Sequence, residues 1–264
     1  MMIKENSILA PRFRFIRHAT LRLEVGGETL LVDPFLSDQG SLASVPFTFP
    51  QKRNPLVGLP CSVHEVVQSV TAILVTHRHF DHFADSKPAI LPKKVPLFCS
   101  AADARWFHKQ GFSDVRPIDR ELQWHSLRFR RFAAHHAQNI LWRWLLGPSS
   151  SFAIEADGKT VLLTGDAVLD DRLRATIQVC QPDGILANAG SAQFRWGTPI
   201  TLTPSDLAEI ARLAPSAFLV AAHMDAINHC HTSRSYLRDW LQENSLGTRI
   251  LVPEDGELID FRPI

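Results

Sequence analysis

The sequence has no long run of one charge. Its 28 Lys+Arg stand against 27 Asp+Glu, a formal net charge of +1, so neither nucleic acid nor an anionic membrane surface is expected as an obligatory partner. No stretch of about 18 apolar residues occurs that could span a bilayer. The opening "MMIKENSILAPRFRF" also lacks the apolar core of a secretory signal. Cysteine is scarce: Cys61, Cys99, Cys180 and Cys230 fall at neither metal-type nor disulfide-type spacing. They read as reduced, mostly buried thiols of a cytoplasmic protein. No internal repeat with a period of about 20–50 residues is visible, and no composition shift marks a boundary, so residues 1–264 are expected to form a single domain. With 264 residues, 45% of them hydrophobic, the chain can bury a large core. Against these absences, twelve histidines stand out.

The order of elements is strands first, then strands alternating with helices, which predicts an α/β fold with sheets covered by helices. "FRFIRHATLRLEV" and "TLLVDPF" read as two strands joined at Gly26-Gly27. Residues 36–60 are rich in Pro, Ser and Gly without a sustained period, the composition of a lid or binding loop. Ser62 and Glu65 have capping-box spacing and open a short helix. "VPLFCS", "LRFRRFAAHH", "SFAIEAD-GKTVLLTGD", "GILANAG" and "AFLVAAH" read as strands, and "RILVPEDGELIDF" as a final hairpin-like pair. "AADARWFHKQG", "TPSDLAEIARLAP" and "TSRSYLRDWLQEN" read as helices, the second with Thr203 at N-cap and Pro204 at N1.

Several apolar runs end in a residue able to bind metal: "AILVT" at His77, "RFAA" at His135 and His136, "VLLTG" at Asp166 and "FLVAA" at His223. Strand ends in α/β proteins converge on a common crevice. Alone, "THRHFDHF" (76–83) would also suit a solvated polar loop, but four coincident strand ends favour a metal site. His77 and His79 are two apart and point to the same side of an extended segment. Asp81 and His82 follow after the chain turns and could grip a second ion. Imidazole and carboxylate suit Zn²⁺ first, with Mn²⁺ or Fe²⁺ as alternatives. Two such ions about 3.5–4 Å apart would deprotonate a bridging water near neutral pH. His136, His223 and Asp166 are available to complete the pair of sites.

The H-x-H-x-D-H pattern, "TGD" after a later strand and His after a last strand together resemble the metallo-β-lactamase superfamily over nearly the whole chain. "LVDPF", with Asp33-Pro34, "NPL" and "TGDAVLD" look most like its ascorbate-6-phosphate lactonase and N-acyl-phosphatidylethanolamine phospholipase D branch. The resemblance implies an αββα sandwich with two metals at one sheet edge. It further implies His77, His79 and His136 on the first metal, Asp81, His82 and His223 on the second, and Asp166 bridging. At "AAHHAQN" the family usually shows one ligand, and His136 is preferred to His135, which would point away or support from behind. Ala167 stands where Thr is commoner, a departure that touches no ligand.

The expected activity is metal-dependent hydrolysis of a lactone, phosphodiester or similar small molecule, with Asp81 as general base or acid. Asn228 or His229 could contact a developing oxyanion or a substrate phosphate. Trp142, Trp144 and Trp196 could line a partly apolar pocket or simply pack. His18 is not counted among the ligands. The rival readings are a mononuclear iron oxidoreductase acting on thiols or persulfides, and a non-enzymatic metal-stabilised sensor. A homo-oligomer is left open.

Overall fold

The computed structural model describes residues 11–83 and 90–260. Residues 1–10, read above for a signal segment, lie outside it, as does Phe261 at the end of the last predicted strand pair.

The first half of the chain builds one sheet. Its strands are β1 (Arg12–Arg17), β2 (Thr20–Val25), β3 (Glu28–Val32), β4 (Ala72–Leu74), β5 (Leu97–Ser100) and β6 (Val115–Ile118), with helices α1 (Val63–Val67) and α2 (Ala101–Lys109) between them. The second half follows as β7 (Glu121–Trp124), β8 (Leu127–Ala134), α3 (Ile140–Leu146), β9 (Ser149–Ala156), β10 (Lys159–Leu163), α4 (Asp171–Cys180) and β11 (Gly184–Asn188). It ends with α5 (Pro204–Leu213), β12 (Phe218–Ala222), α6 (Arg234–Glu243), β13 (Ile250–Leu251) and β14 (Leu258–Asp260). The two seven-stranded sheets run β14-β1-β2-β3-β4-β5-β6 and β13-β12-β11-β10-β9-β8-β7. Each is mixed, antiparallel among its hairpin-linked strands and parallel where helices cross over.

Alternation along the strands makes the layers. In "AILV" Leu74 faces the other sheet while Ile73 and Val75 face α1 and α2. In "VLL" Val161 and Leu163 enter the inter-sheet core and Leu162 packs under α4 and α5. Phe13, Phe15, Phe98, Phe129 and Phe152 fill the space between the sheets. Period-2 patterning thus buries both faces of each central strand, giving the predicted αββα sandwich. α5 begins as predicted, with Thr203 accepting from Asp206 N and the Asp206 carboxylate bonding back to Thr203. Among the described residues no helix is long and apolar enough to cross a membrane.

Two expectations are corrected. "FRFIRHATLRLEV" is two strands, because the chain reverses at His18-Ala19 with Arg17 opposite Thr20. His18 takes φ +60 there, a conformation the flanking β-rich pattern does not announce. The final pair is no hairpin: β13 joins β12 in one sheet while β14 joins β1 in the other.

Candidate metal centre

Five strands end at one rim of the sandwich and deliver the polar cluster there. His18 follows β1, the segment 76–82 follows β4, His136 follows β8, Asp166 follows β10 and His223 follows β12. The segment after β4 tightens into a turn in which the His79 carbonyl accepts from the amides of His82 and Phe83. Phe83 anchors that turn among Trp106, Phe107 and Phe112. Gly165 has φ +57, and a Cβ there would lie 2.5 Å from the Ser150 carbonyl, so only glycine lets Asp166 reach the rim. His18, Asp33 and His223 also take positive φ. Such conformations in residues other than Gly cost on the order of 1–3 kcal/mol each and concentrate at functional sites.

Ligand-type atoms converge in three overlapping groups: His77, His79 and His136; Asp81, His82 and His223 with His18; and His77, His82 and Asp166. Within the first, His77 Nε2 and His79 Nδ1 are 3.0 Å apart. Within the second, His82 Nε2 and His223 Nε2 are 3.2 Å apart, and His223 Nε2 lies 3.5 Å from Asp81 Oδ2. Asp166 faces both: Oδ2 is 3.3 Å from His136 Nε2, while Oδ1 is 3.1 Å from His82 Nε2 and 3.3 Å from His223 Nε2.

The outward nitrogens show whether these side chains suit divalent ions. His77 Nδ1 donates to Thr76 Oγ1, which itself donates to Asp33 Oδ2. His79 Nε2 donates to the Leu146 carbonyl, His82 Nδ1 to Asp33 Oδ2 and His136 Nδ1 to the Ile200 carbonyl. His223 Nδ1 lies 3.7 Å from Cys230 Sγ. Each of the five imidazoles therefore has its remote nitrogen engaged and its other nitrogen turned inward, the arrangement that fixes tautomers at metal sites. Charge agrees. Burial pushes His77 well below its ordinary value and His136 down to about 4, so their lone pairs are free. Burial would raise Asp81, yet hydrogen bonds from His18 and His223 hold it well below the ordinary carboxylate range. Asp166 is likewise held low against burial by His223, His82 and His136. Burial would lower His82, but Asp166 and Asp33 on either side raise it well above its ordinary value. Two buried carboxylates amid inward-facing imidazoles fit divalent cations.

The remaining expected residues lie around this cluster. His135 points away and bonds Asp170 at 2.5 Å. Asn228, expected as a possible substrate contact, has its amide engaged in pinning loop 36–60. Its Oδ1 accepts from Val45 N and Asn54 Nδ2, and its Nδ2 donates to Thr48 Oγ1 and the Pro50 carbonyl. His229 is buried with Nδ1 unpartnered, and burial lowers it to about 4. Trp142 stacks on Phe194 at 4.7 Å, and Phe194 faces His229 at 6.4 Å. Trp142 and Phe194 pack with Leu146, Ile200 and Cys230 in a small apolar group beside the cluster. Trp144 and Trp196 are exposed. The supports not anticipated are Thr76, Asn188, which donates to Asp166 Oδ1 at 2.8 Å, and His18. His18 obeys the same strand-end rule that singled out the others.

An αββα sandwich with a His/Asp cluster at one rim defines the class of metallo-hydrolases with the metallo-β-lactamase fold. Residues 28–224 match the pattern of the Beta-lactamase superfamily domain. The UPF0173 protein YddR of Bacillus subtilis is 32% identical over 249 residues, 93% of this chain and 98% of that one. The chain therefore belongs to the Beta-lactamase superfamily and, within it, to the UPF0173 family of metal-dependent hydrolases. A UPF0173 metal-dependent hydrolase of Rubrobacter xylanophilus is 26% identical, matching 93% of this chain and 95% of that one. Among solved structures, "a possible metal-dependent hydrolase" from Veillonella parvula superposes with TM-score 0.92 at 33% identity, covering 95% of this chain and 99% of that one. The isothiocyanate hydrolase from Delia radicum gut bacteria superposes with TM-score 0.90 at 29% identity, covering 96% and 100%.

Proposed function

We propose that the chain is a binuclear metal-dependent hydrolase of small, partly apolar electrophiles. The observation that carries this reading is Asp166, whose two oxygens face different ligand groups. On this reading His77, His79 and His136 hold one ion, Asp81, His82 and His223 the other, and Asp166 belongs to both. Two divalent ions held there, Zn²⁺ first and Mn²⁺ or Fe²⁺ as alternatives, would lower the pKa of water to near neutral pH and would polarise the oxygen or sulfur that gains charge. The protein's own groups do the rest. Asp81, ionised and hydrogen-bonded to His18 at 3.2 Å, orients the nucleophile, takes up the nucleophile's proton as the new bond forms and passes that proton to the leaving group. His229, a neutral imidazole beside the cluster whose Nδ1 has no partner to hold a proton, donates from Nε2 to charge developing on the substrate.

The surroundings favour an apolar substituent. Trp142 and Phe194 wall the cluster, and Phe47, Phe49, Trp144 and Trp196 stand exposed on segments tied to it. The Phe47 carbonyl accepts from Arg195 N, and the Leu146 carbonyl from His79. The lactones and phosphodiesters suggested by the sequence are joined by isothiocyanates, the substrate named for the Delia radicum gut-bacterial neighbour.

The test loads chelator-stripped protein with Zn²⁺, Mn²⁺ or Fe²⁺, measures metal per chain, and screens lactones, phosphodiesters and aryl and alkyl isothiocyanates. Two ions per chain, turnover of an aryl-bearing member, and loss of at least about 100-fold in Asp81→Ala are expected. One iron per chain with O₂ uptake would instead establish the oxidoreductase. Unchanged turnover in Asp81→Ala would remove Asp81 from the chemistry.

A further inference from the structure

We propose that His18 is the positioning residue of the second metal set, acting through Asp81 rather than as a ligand. The inference rests on the binuclear reading and concerns a residue outside the seven assigned ligands.

His18 sits in the group with Asp81, His82 and His223, and its imidazole is completely buried. It differs from the five inward-facing imidazoles in one respect. Each of those has a partner at its remote nitrogen, whereas His18 Nδ1 is buried and has no hydrogen-bond partner among the described residues. With no acceptor to hold a proton at Nδ1, the proton of a neutral His18 resides on Nε2, which faces Asp81 Oδ2 at 3.2 Å. A nitrogen carrying a proton toward a carboxylate is a donor, and has no lone pair for a cation. His18 therefore holds one oxygen of Asp81 and fixes the carboxylate's rotation.

The backbone supports a specific demand for histidine here. His18 is the first residue of a two-residue reversal between β1 and β2, at φ +60. Glycine is the usual occupant of such a position, and a side chain there is strained. The His18 carbonyl accepts from His223 N at 2.9 Å, and the two rings lie 3.7 Å apart. His223 itself takes φ +69. One strained turn thus holds two members of the second set, Asp81 through the imidazole and His223 through the backbone.

The experiment compares wild type with His18→Gln, His18→Asn and His18→Leu, reading metal per chain and second-ion affinity by chelator competition. Occupancy of the first ion, together with the thermal midpoint of the stripped protein, verifies folding. Gln places an N–H donor near the imidazole Nε2 position. Asn tolerates left-handed backbone but stops at the Nδ1 position. Gln is expected to retain both ions. Asn and Leu are expected to retain the first and weaken the second about 10–100-fold, the usual effect of losing an outer partner, with Asn no less thermally stable than wild type. Wild-type affinity for the second ion in Asn and Leu would overturn the proposal, as would a loss in Gln equal to that in Leu, which would mark His18 as a ligand. Wild type binding a single ion would instead overturn the binuclear reading, and this proposal with it.

Discussion

Asp33 shows how much of the cluster depends on side chains that lie behind its inward-facing atoms. Its Oδ1 accepts from Thr76 N, and its Oδ2 accepts from Thr76 Oγ1 and His82 Nδ1, each at 2.7 Å. Through Thr76 it also reaches His77, so one carboxylate orients an imidazole in each group. Asp33→Asn keeps the volume but replaces one accepting oxygen with a donor that confronts the His82 N–H. Metal affinity is expected to fall about 10–100-fold at both positions, measured by chelator competition. A selective loss at one position would show that Asp33 serves only the histidine beside it. The clustering of these residues was legible because chemistry and spacing coincide: "HRHFDH" follows an apolar run, and three other runs end in His or Asp. His18 was not legible, since its turn carries no Gly, Pro, Asn or Asp and the β pattern runs through it. Nor could spacing reveal that Asn228, two residues before Cys230, is spent on a loop. Its use depends on contacts more than 170 positions away in sequence.

At the scale of elements, loop 36–60 is the segment the sequence left without structure. Its order comes from across the fold: Leu42 and Asn54 bridge each other, Leu56 N donates to the Ala226 carbonyl, and Asn228 pins Val45, Thr48, Pro50 and Asn54. Phe35, Val45 and Ile227 pack beneath it. Asn228→Ala removes four side-chain hydrogen bonds from a buried junction. Leaving Val45 N unpartnered, and Asn54 Nδ2 with only the Ala43 carbonyl, is expected to cost about 1–3 kcal/mol, read as a lower urea midpoint with the metal content unchanged. Loss of both ions in this variant would show that the loop and the metal centre fold as one unit. The strands and the capped helices were read from period and caps, which are local. The His18-Ala19 reversal and the separation of β13 from β14 were not, because partner choice between sheets is settled by the inter-sheet core.

For the whole molecule, the clustered imidazoles make stability depend on pH and metal together. Burial lowers His136 and His229 to about 4 from an ordinary 6.5, and lowers His18 and His77 well below 6.5. A group with a depressed folded value contributes stability above its unfolded value and loses it as pH falls toward the folded one. His82 runs the other way: Asp166 and Asp33 outweigh its burial and raise it. Its contribution is complete below 6.5 and is lost only as pH rises through the raised value. Asp81 and Asp166, held low, lose their contribution only below the ordinary carboxylate value of 3.8. Between pH 6.5 and about 4 the four depressed histidines therefore dominate. The unfolded chain takes up protons that the folded chain refuses, and chelator-stripped protein should lose stability steeply across that window. Each such histidine contributes a slope of up to about 1.4 kcal/mol per pH unit. His229→Gln, which removes no assigned ligand, should flatten the profile by one such group, while a flat wild-type profile would show that these imidazoles titrate normally. Divalent ions should lift the curve near neutrality, by about 2.7 kcal/mol at a hundredfold excess over Kd. Protons and ions compete for the same inward nitrogens, so the loaded and stripped curves should converge toward pH 4. Curves that remain parallel down to that pH would place the bound ions somewhere other than this cluster.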